Sequence, residues 1–204
     1  MNRKVTIGIA GGIGAGKSIV SRLLRCNGMR VYDCDYEAKK IMTYDLDVKE
    51  SIITKFGKGI YNDRGELHRK KLADLIFKDK NKRRIINSIV HKAVLDDIKL
   101  KRLEQEGLFF IETAIPSSGG IDKICDAMWI VESPLEVRFL RVENRDKMSR
   151  EDFFLRIESQ EKELENIETP EIDIIQNDDQ HPMLSKILKQ IDKYSLHNTY
   201  TISC

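Results

Sequence analysis

The chain has 204 residues, 41% of them hydrophobic and 33% charged, with a formal net charge of +2. That composition fits one globular α/β domain with a full core, and it excludes a dedicated nucleic-acid binder, which would need a concentrated basic face. No stretch approaches the roughly 20 apolar residues of a membrane span, and Cys26, Cys34, Cys125 and Cys204 form no C-x-x-C pair, so they read as reduced thiols of a cytoplasmic protein and not as a zinc or redox site.

The first predicted element is a buried parallel strand over Val5–Ala10, a short apolar run. It leads into Gly11-Gly12-Ile13-Gly14-Ala15-Gly16-Lys17-Ser18, which satisfies G-x-x-x-x-G-K-[ST]. Glycines let backbone N–H groups turn inward around phosphate oxygens with no Cβ in the way. The next helix, with Ile19, Val20, Leu23 and Leu24 on one face and Gly28 at its end, aims its positive N-terminus at the same anion. Lys17 is then expected on the β- and γ-phosphates and the Ser18 hydroxyl on Mg²⁺.

A second strand over Met29–Tyr32 runs into Asp33-Cys34-Asp35. In a parallel sheet, those two carboxylates emerge beside the phosphate loop. One of them is suited to take a proton from an acceptor hydroxyl, while the other is suited to cap the helix that follows. About 75 residues separate this strand from the next, where an ordinary crossover needs only ~10–12. The segment is helical by pattern. Leu72, Leu75 and Ile76 share one face; Ile85, Ile86, Ile89, Val90 and Val94 make another; the turn Asn62-Asp63-Arg64-Gly65 interrupts them. A helical insertion near the strand C-termini, where such folds bind substrates, is the expectation. His91 lies among its apolar residues and reads as a packed histidine by position, while His68, His181 and His197 show no partner pattern.

The third strand, Leu108–Thr113, carries Glu112 at its end, a place for an acid that holds Mg²⁺ or its waters, or that bonds a loop. A fourth strand, Ala127–Glu132, precedes Ser133-Pro134-Leu135-Glu136, which reads as N-cap, first helical position and third position of a helix. Ser149-x-x-Asp152 starts another helix in the same way. This pair carries Arg138, Arg141, Arg145, Arg150 and Arg156. They make either a solvated face or a lid that sets one or two arginines on the phosphates of ATP. A fifth strand covers Asp173–Gln176. The alternation of strands and helices predicts a doubly wound parallel sheet. No Asp-x-x-Gly and no Asn-Lys-x-Asp occurs, which favours a small-molecule kinase over a regulatory GTPase.

From Val5 to about Ile191, this arrangement resembles the dephospho-coenzyme A kinase family. Gly11 to Ser18 resembles the family's phosphate loop almost residue for residue, and Val31-Tyr32-Asp33-Cys34-Asp35 resembles its V-x-D-x-D strand end, with Asp35 on the proposed base. Asp63 to Leu72 resembles its D-G-x-L-[DN]-R-x-x-L segment, followed by Ile76-Phe77, and His91 falls on a family histidine. Arg141 matches an ATP-contacting arginine, Arg145-Asp146, Arg156 and Gln160 match the lid, and Ile175-x-Asn177 matches the last strand.

The resemblance implies an α/β, three-layer P-loop kinase fold as one domain. Its core would be 1–34, 107–133 and 170–193, with a helical substrate region at 35–106 and a lid at 134–169. It implies phosphorylation by ATP of the ribose 3′-hydroxyl of dephospho-coenzyme A, with Asp35, Lys17 and Arg141 as catalytic residues. It implies ATP on Gly11, Gly12, Ile13, Gly14, Ala15, Gly16, Lys17, Ser18, Ile19, Arg141, Arg145 and Asn177; substrate on Asp35, His91 and Glu112; and Mg²⁺ on Ser18. The expected partners are small molecules, with no nucleic acid and no membrane, and the expected assembly is a monomer or small homo-oligomer. Three departures stand out. Where the family usually has an acid, two or three small or apolar residues and then L-L-F-E, the chain reads Glu112-Thr113-Ala114-Ile115-Pro116-Ser117-Ser118, with Ser117 and Ser118 in place of the aromatic and the acid; Lys92 replaces the usual Pro after His91; and Ile19 replaces a Thr. The rival expectations are another P-loop kinase, such as one acting on nucleoside monophosphates, and a nucleotide-binding homologue without turnover.

Overall fold

The computed structural model describes residues 4–178 and 180–196, so His197 and Cys204 lie outside the described residues. Five parallel strands, β1 (Val5–Ala10), β2 (Val31–Asp33), β3 (Leu108–Glu112), β4 (Ala127–Glu132) and β5 (Ile172–Gln176), form one sheet in the order β2-β3-β1-β4-β5. Every residue of β1 is buried, as a central strand covered on both faces requires. The first and fourth strands have the predicted bounds. The second starts two residues later than expected. Gly28 adopts φ 78, and Met29 N–H bonds back to the Leu24 carbonyl at 3.0 Å, so Met29 closes the helix and does not open the strand.

The chain divides into two compact units, Met1–Asp33 with Arg102–Cys204, and Cys34–Lys101. In the first, Ile7 and Ile9 of β1, Phe110 of β3, Trp129 of β4 and Ile175 of β5 pack on Val20 and Leu24 of α1 (Lys17–Cys26) and on Ile187 and Ile191 of α8 (Met183–Leu196). The Trp129 ring lies 5.3 Å from Phe110 and 6.4 Å from Tyr194, centroid to centroid. A satellite core joins Ile13 to Phe139 and Val142 of α6 (Leu135–Asp146) and to Phe153 and Ile157 of α7 (Arg150–Glu165). Helix α7 starts as predicted, with Ser149 Oγ accepting from Asp152 N–H at 3.1 Å. Helix α6 starts one residue late. Pro134 keeps an extended ψ of 143° and stands at the cap itself, and Ser133 Oγ instead accepts from Arg141 at 3.2 Å.

The second unit is helical. It holds α2 (Cys34–Tyr44), α3 (Leu46–Phe56), α4 (Arg69–Lys78) and most of α5 (Lys80–Leu103). Its core gathers Val48, Ile52, Ile60, Tyr61, Leu72 and Ile86, with Leu75, Ile76, Ile89 and Val90 packed against it. Ile85 is the exception to the predicted apolar face and turns outward. Asn62 Oδ1 accepts from the N–H groups of Arg64 and Glu66, which closes the predicted turn. Among the described residues, no helix is long and apolar enough to cross a membrane.

Candidate functional site

The glycine-rich turn follows β1 at the centre of the sheet and ends in the first turn of α1. Helix α1 has no side-chain cap. Its N-cap, Gly16, stands at φ 105, a left-handed backbone that L side chains rarely adopt. The first amides of the helix are therefore left for a ligand, and the helix dipole favours an anion there. Lys17 Nζ folds over the loop and donates to the Gly11 carbonyl at 2.7 Å and the Gly12 carbonyl at 3.4 Å. Ser18 and Ile19 are exposed at the mouth of the loop.

The loop is braced from distant parts of the chain. Gln160 Oε1 of α7 accepts from Ile13 N–H. Arg138 Nε of α6 donates to the Ile13 carbonyl at 2.9 Å, and its guanidinium lies 6.0 Å from the Phe153 ring centroid. Burial lowers the Arg138 pKa, with Glu161 opposing the shift. One turn along α6, Arg141 donates to the Gly14 carbonyl and to Ser133 Oγ, both at 3.2 Å, and to the Asn177 carbonyl at 3.2 Å. Asn177, buried just past β5, gives its Nδ2 to the Ala15 carbonyl at 2.7 Å. A Cβ at Gly16 would overlap that same Nδ2.

Two carboxylates meet at the strand ends beside the loop. In the sheet register, Glu112 pairs with Ile9 on one side and Asp33 on the other. Burial pushes the Glu112 carboxyl above its ordinary value and Asp33 adds to the rise, while Ser21, Lys17 and Arg25 favour the charged form. Glu112 Oε2 is buried with no hydrogen-bond partner among the described residues. An orphaned buried oxygen paired in the sheet register with a second carboxylate (Asp33), on the strand next to the one that leads into the loop bearing the exposed Ser18 hydroxyl, fits Mg²⁺, which keeps its waters and shares its coordination with substrate phosphates.

Asp33 directly precedes α2, and Asp35 is exposed in its first turn. His91 is half-buried on α5. Arg145, one turn beyond Arg141 on α6, makes an exposed pair with Asp146 at 2.7 Å. Sequence reasoning assigned no specific role to Arg138 or Ser21. The signal for Arg138 was its place three residues before Arg141 on one helix face, and for Ser21 its place between Val20 and Leu24 on the apolar face of α1. His181 does have a partner, Asp178 Oδ2 at 2.8 Å, in an exposed contact outside this site.

Residues 5–182 match the family described as Dephospho-CoA kinase. The chain is 36% identical over 182 residues to the dephospho-CoA kinase of Fusobacterium nucleatum subsp. nucleatum, an alignment spanning 89% of this chain and 94% of that one. Among solved structures it is similar to TT1252 from Thermus thermophilus, with a TM-score of 0.76 and 27% identity over 93% of this chain and 96% of that one. It also shares the fold of the dephospho-CoA kinase from Campylobacter jejuni, with a TM-score of 0.67 and 23% identity over 96% of this chain and all (100%) of that one.

Proposed function

This chain belongs to the dephospho-CoA kinase family, and from that membership we propose that it transfers the γ-phosphoryl group of ATP to the ribose 3′-hydroxyl of dephospho-coenzyme A, releasing coenzyme A and ADP in the last step of coenzyme A synthesis. The observation that carries the reading is the pairing of a complete phosphate loop at the end of β1 with Glu112 and Asp33 in register on the neighbouring strand ends.

The loop amides and the open N-terminus of α1 take the β- and γ-phosphates, and Lys17 exchanges its loop carbonyls for phosphate oxygens. Ser18 and Glu112 would hold Mg²⁺ or its waters, and that ion would neutralise negative charge on the phosphates of ATP. Asp35 accepts the 3′-hydroxyl proton as the O3′–P bond forms and the bond to the departing ADP oxygen breaks. Arg141 adds a fixed cation beside the loop, preorganised by its contacts with Gly14 and Asn177. Arg145 supplies a second, more mobile cation, and His91 contributes to the acceptor side. The catalyst works on small molecules, in the cytoplasm.

The decisive test mixes the protein, Mg-ATP and dephospho-coenzyme A, with nucleoside monophosphates as rival acceptors, and detects the phosphorylated product. Coenzyme A is expected and phosphorylated monophosphates are not. Tight ATP binding with no product from any acceptor would instead mark a homologue without turnover. Asp35→Asn should lower the rate about 10²–10⁴-fold, the usual range for a lost general base, while ATP affinity stays within about twofold. A variant with near-normal rate removes Asp35 from the mechanism.

A further inference from the structure

We propose that Ser21 is a positioning residue of this site: its hydroxyl turns onto Glu112 and holds that carboxylate in one orientation at the end of β3, beside Lys17. The proposal rests on the kinase reading only in taking Glu112 as a working carboxylate of the nucleotide site.

Three observations carry it. Ser21 is fully buried, at 0% exposure, on the apolar face of α1, one helical turn beyond Lys17. Among the described residues its Oγ has no hydrogen-bond partner, and neither has Glu112 Oε2, also buried. Val20 and Leu24 of α1 share one core with Leu108 and Phe110 of β3, which brings the Ser21 and Glu112 side chains together where that helix covers that strand; the hydroxyl favours the charged carboxyl, yet neither forms a hydrogen bond with the other. Native cores seldom leave two such groups unsatisfied side by side. Packing alone would favour alanine at position 21, which fills nearly the same space and strands no donor.

The gap closes by soft rotations. The serine hydroxyl turns freely about its Cβ–Oγ bond, and the last torsion of a glutamate side chain is broad. In the bond so formed, Ser21 donates and Glu112 Oε2 accepts, leaving Oε1 to face the loop. Such a charge-assisted contact fixes the direction of the carboxylate without taking part in the reaction. No other part of the nucleotide site is predicted to change when the hydroxyl is removed.

The test compares wild type, Ser21→Ala, Glu112→Gln and the double variant by thermal unfolding without ligand, and by calorimetric ATP affinity with Mg²⁺ and in chelator. Ser21→Ala should unfold at the wild-type temperature or higher. Its ATP affinity in chelator should stay within about twofold of wild type, while the gain in affinity brought by Mg²⁺ falls roughly tenfold, the scale of one hydrogen bond to a charged group. In the Glu112→Gln background, the same substitution should change that gain by less than about twofold, because coupled sites lose additivity. Ser21→Thr, which keeps the hydroxyl, should recover most of the loss.

Three results overturn the proposal: Ser21→Ala that lowers the unfolding temperature and weakens ATP equally with and without Mg²⁺, an effect undiminished in the Glu112→Gln background, or no Mg²⁺-linked change in either single variant. These measurements need no acceptor, so failure to make coenzyme A would refute the function proposed above and leave this result standing.

Discussion

Asn177→Ala tests whether the phosphate loop is held by its distant braces. The side chain is 6% exposed and makes two contacts that the substitution removes: Nδ2 to the Ala15 carbonyl at 2.7 Å, and Oδ1 from Arg141 Nη2 at 3.4 Å. The backbone contact from Arg141 to the Asn177 carbonyl survives. Stranding the buried Ala15 carbonyl costs about 1–3 kcal/mol. The longer second bond and the space opened against Gly16 bring the total to about 2–4 kcal/mol. In a chain of this size, that lowers the unfolding midpoint by about 5–12 °C. The loop must then be ordered on binding, so Mg-ATP affinity should fall about 5–30-fold. Differential scanning fluorimetry without ligand and calorimetry with Mg-ATP read the two effects. Asn177→Asp keeps the size but sets an acceptor against the Ala15 carbonyl, so it should recover less than half of the loss. A variant that melts within about 2 °C of wild type and binds Mg-ATP equally well would show that the brace does not shape the loop.

Asp173 at the start of β5 accepts from Lys193 Nζ at 2.8 Å and from the Tyr194 hydroxyl at 2.6 Å. Burial alone would push its carboxyl up, but the hydrogen bonds from Lys193 and Tyr194 outweigh it and hold the pKa below the ordinary value. A depressed carboxyl stabilises the fold fully above its unfolded pKa, near 3.9, and loses that stabilisation as pH falls through its lower folded value. Asp173→Asn should therefore cost about 1–2 kcal/mol at neutral pH and flatten the fall in stability below about pH 4. Urea unfolding followed by the single tryptophan, Trp129, checks this; an unchanged acid slope would remove Asp173 from the account. Elsewhere in the same unit, Glu163 Oε2 of α7 accepts from Ser117 Oγ and Ser118 N–H, both at 3.0 Å. Glu163→Ala should speed hydrogen exchange at the amides of Ser117 and Ser118 about 5–10-fold, with little change at β3, since one broken tether opens a loop and not a strand. Equal exchange in both proteins would show that the link is idle.

The elements most legible in the sequence were those decided by neighbours along the chain. Strands β1 and β4 are largely apolar runs, and their predicted ends coincide with the structure. Ser149 caps α7 because its partner is three residues away. The late starts of β2 and α6 share one cause, a backbone choice that apolar patterning does not report, while β3 and β5 depart from expectation by a single residue each, at Thr113 and Ile172. Met29 looks like a strand residue, but Gly28 beside it permits the left-handed turn that returns Met29 to the end of α1. Ser133 looks like a cap, but Pro134 takes the extended ψ and frees the serine hydroxyl for Arg141. In each case, a local propensity yielded to a hydrogen bond with a better-placed partner.

The site divides along the same line. The eight residues from Gly11 to Ser18 announce a phosphate loop because the motif encodes what a phosphate needs: no Cβ, inward amides and one lysine. The motif does not encode what keeps that geometry when no phosphate is present. Those braces come from Arg138, Arg141, Gln160 and Asn177, 125 to 162 residues further along the chain in the four contacts with Ile13, Gly14 and Ala15. Three of the four lie on α6 and α7, whose arginines read in the sequence as a solvated face or a phosphate-binding lid. Ile13 is itself part of the core between those helices. Helices α6 and α7 and the loop are thus one packed object, and a motion of those helices that left the loop undisturbed would have to break the Ile13 contacts first. Loop shape and the position of α6 and α7 are therefore expected to change together, so Phe153→Ala or Ile157→Ala, which remove side chains packed with Ile13 and outside the loop itself, should weaken ATP binding through the loop.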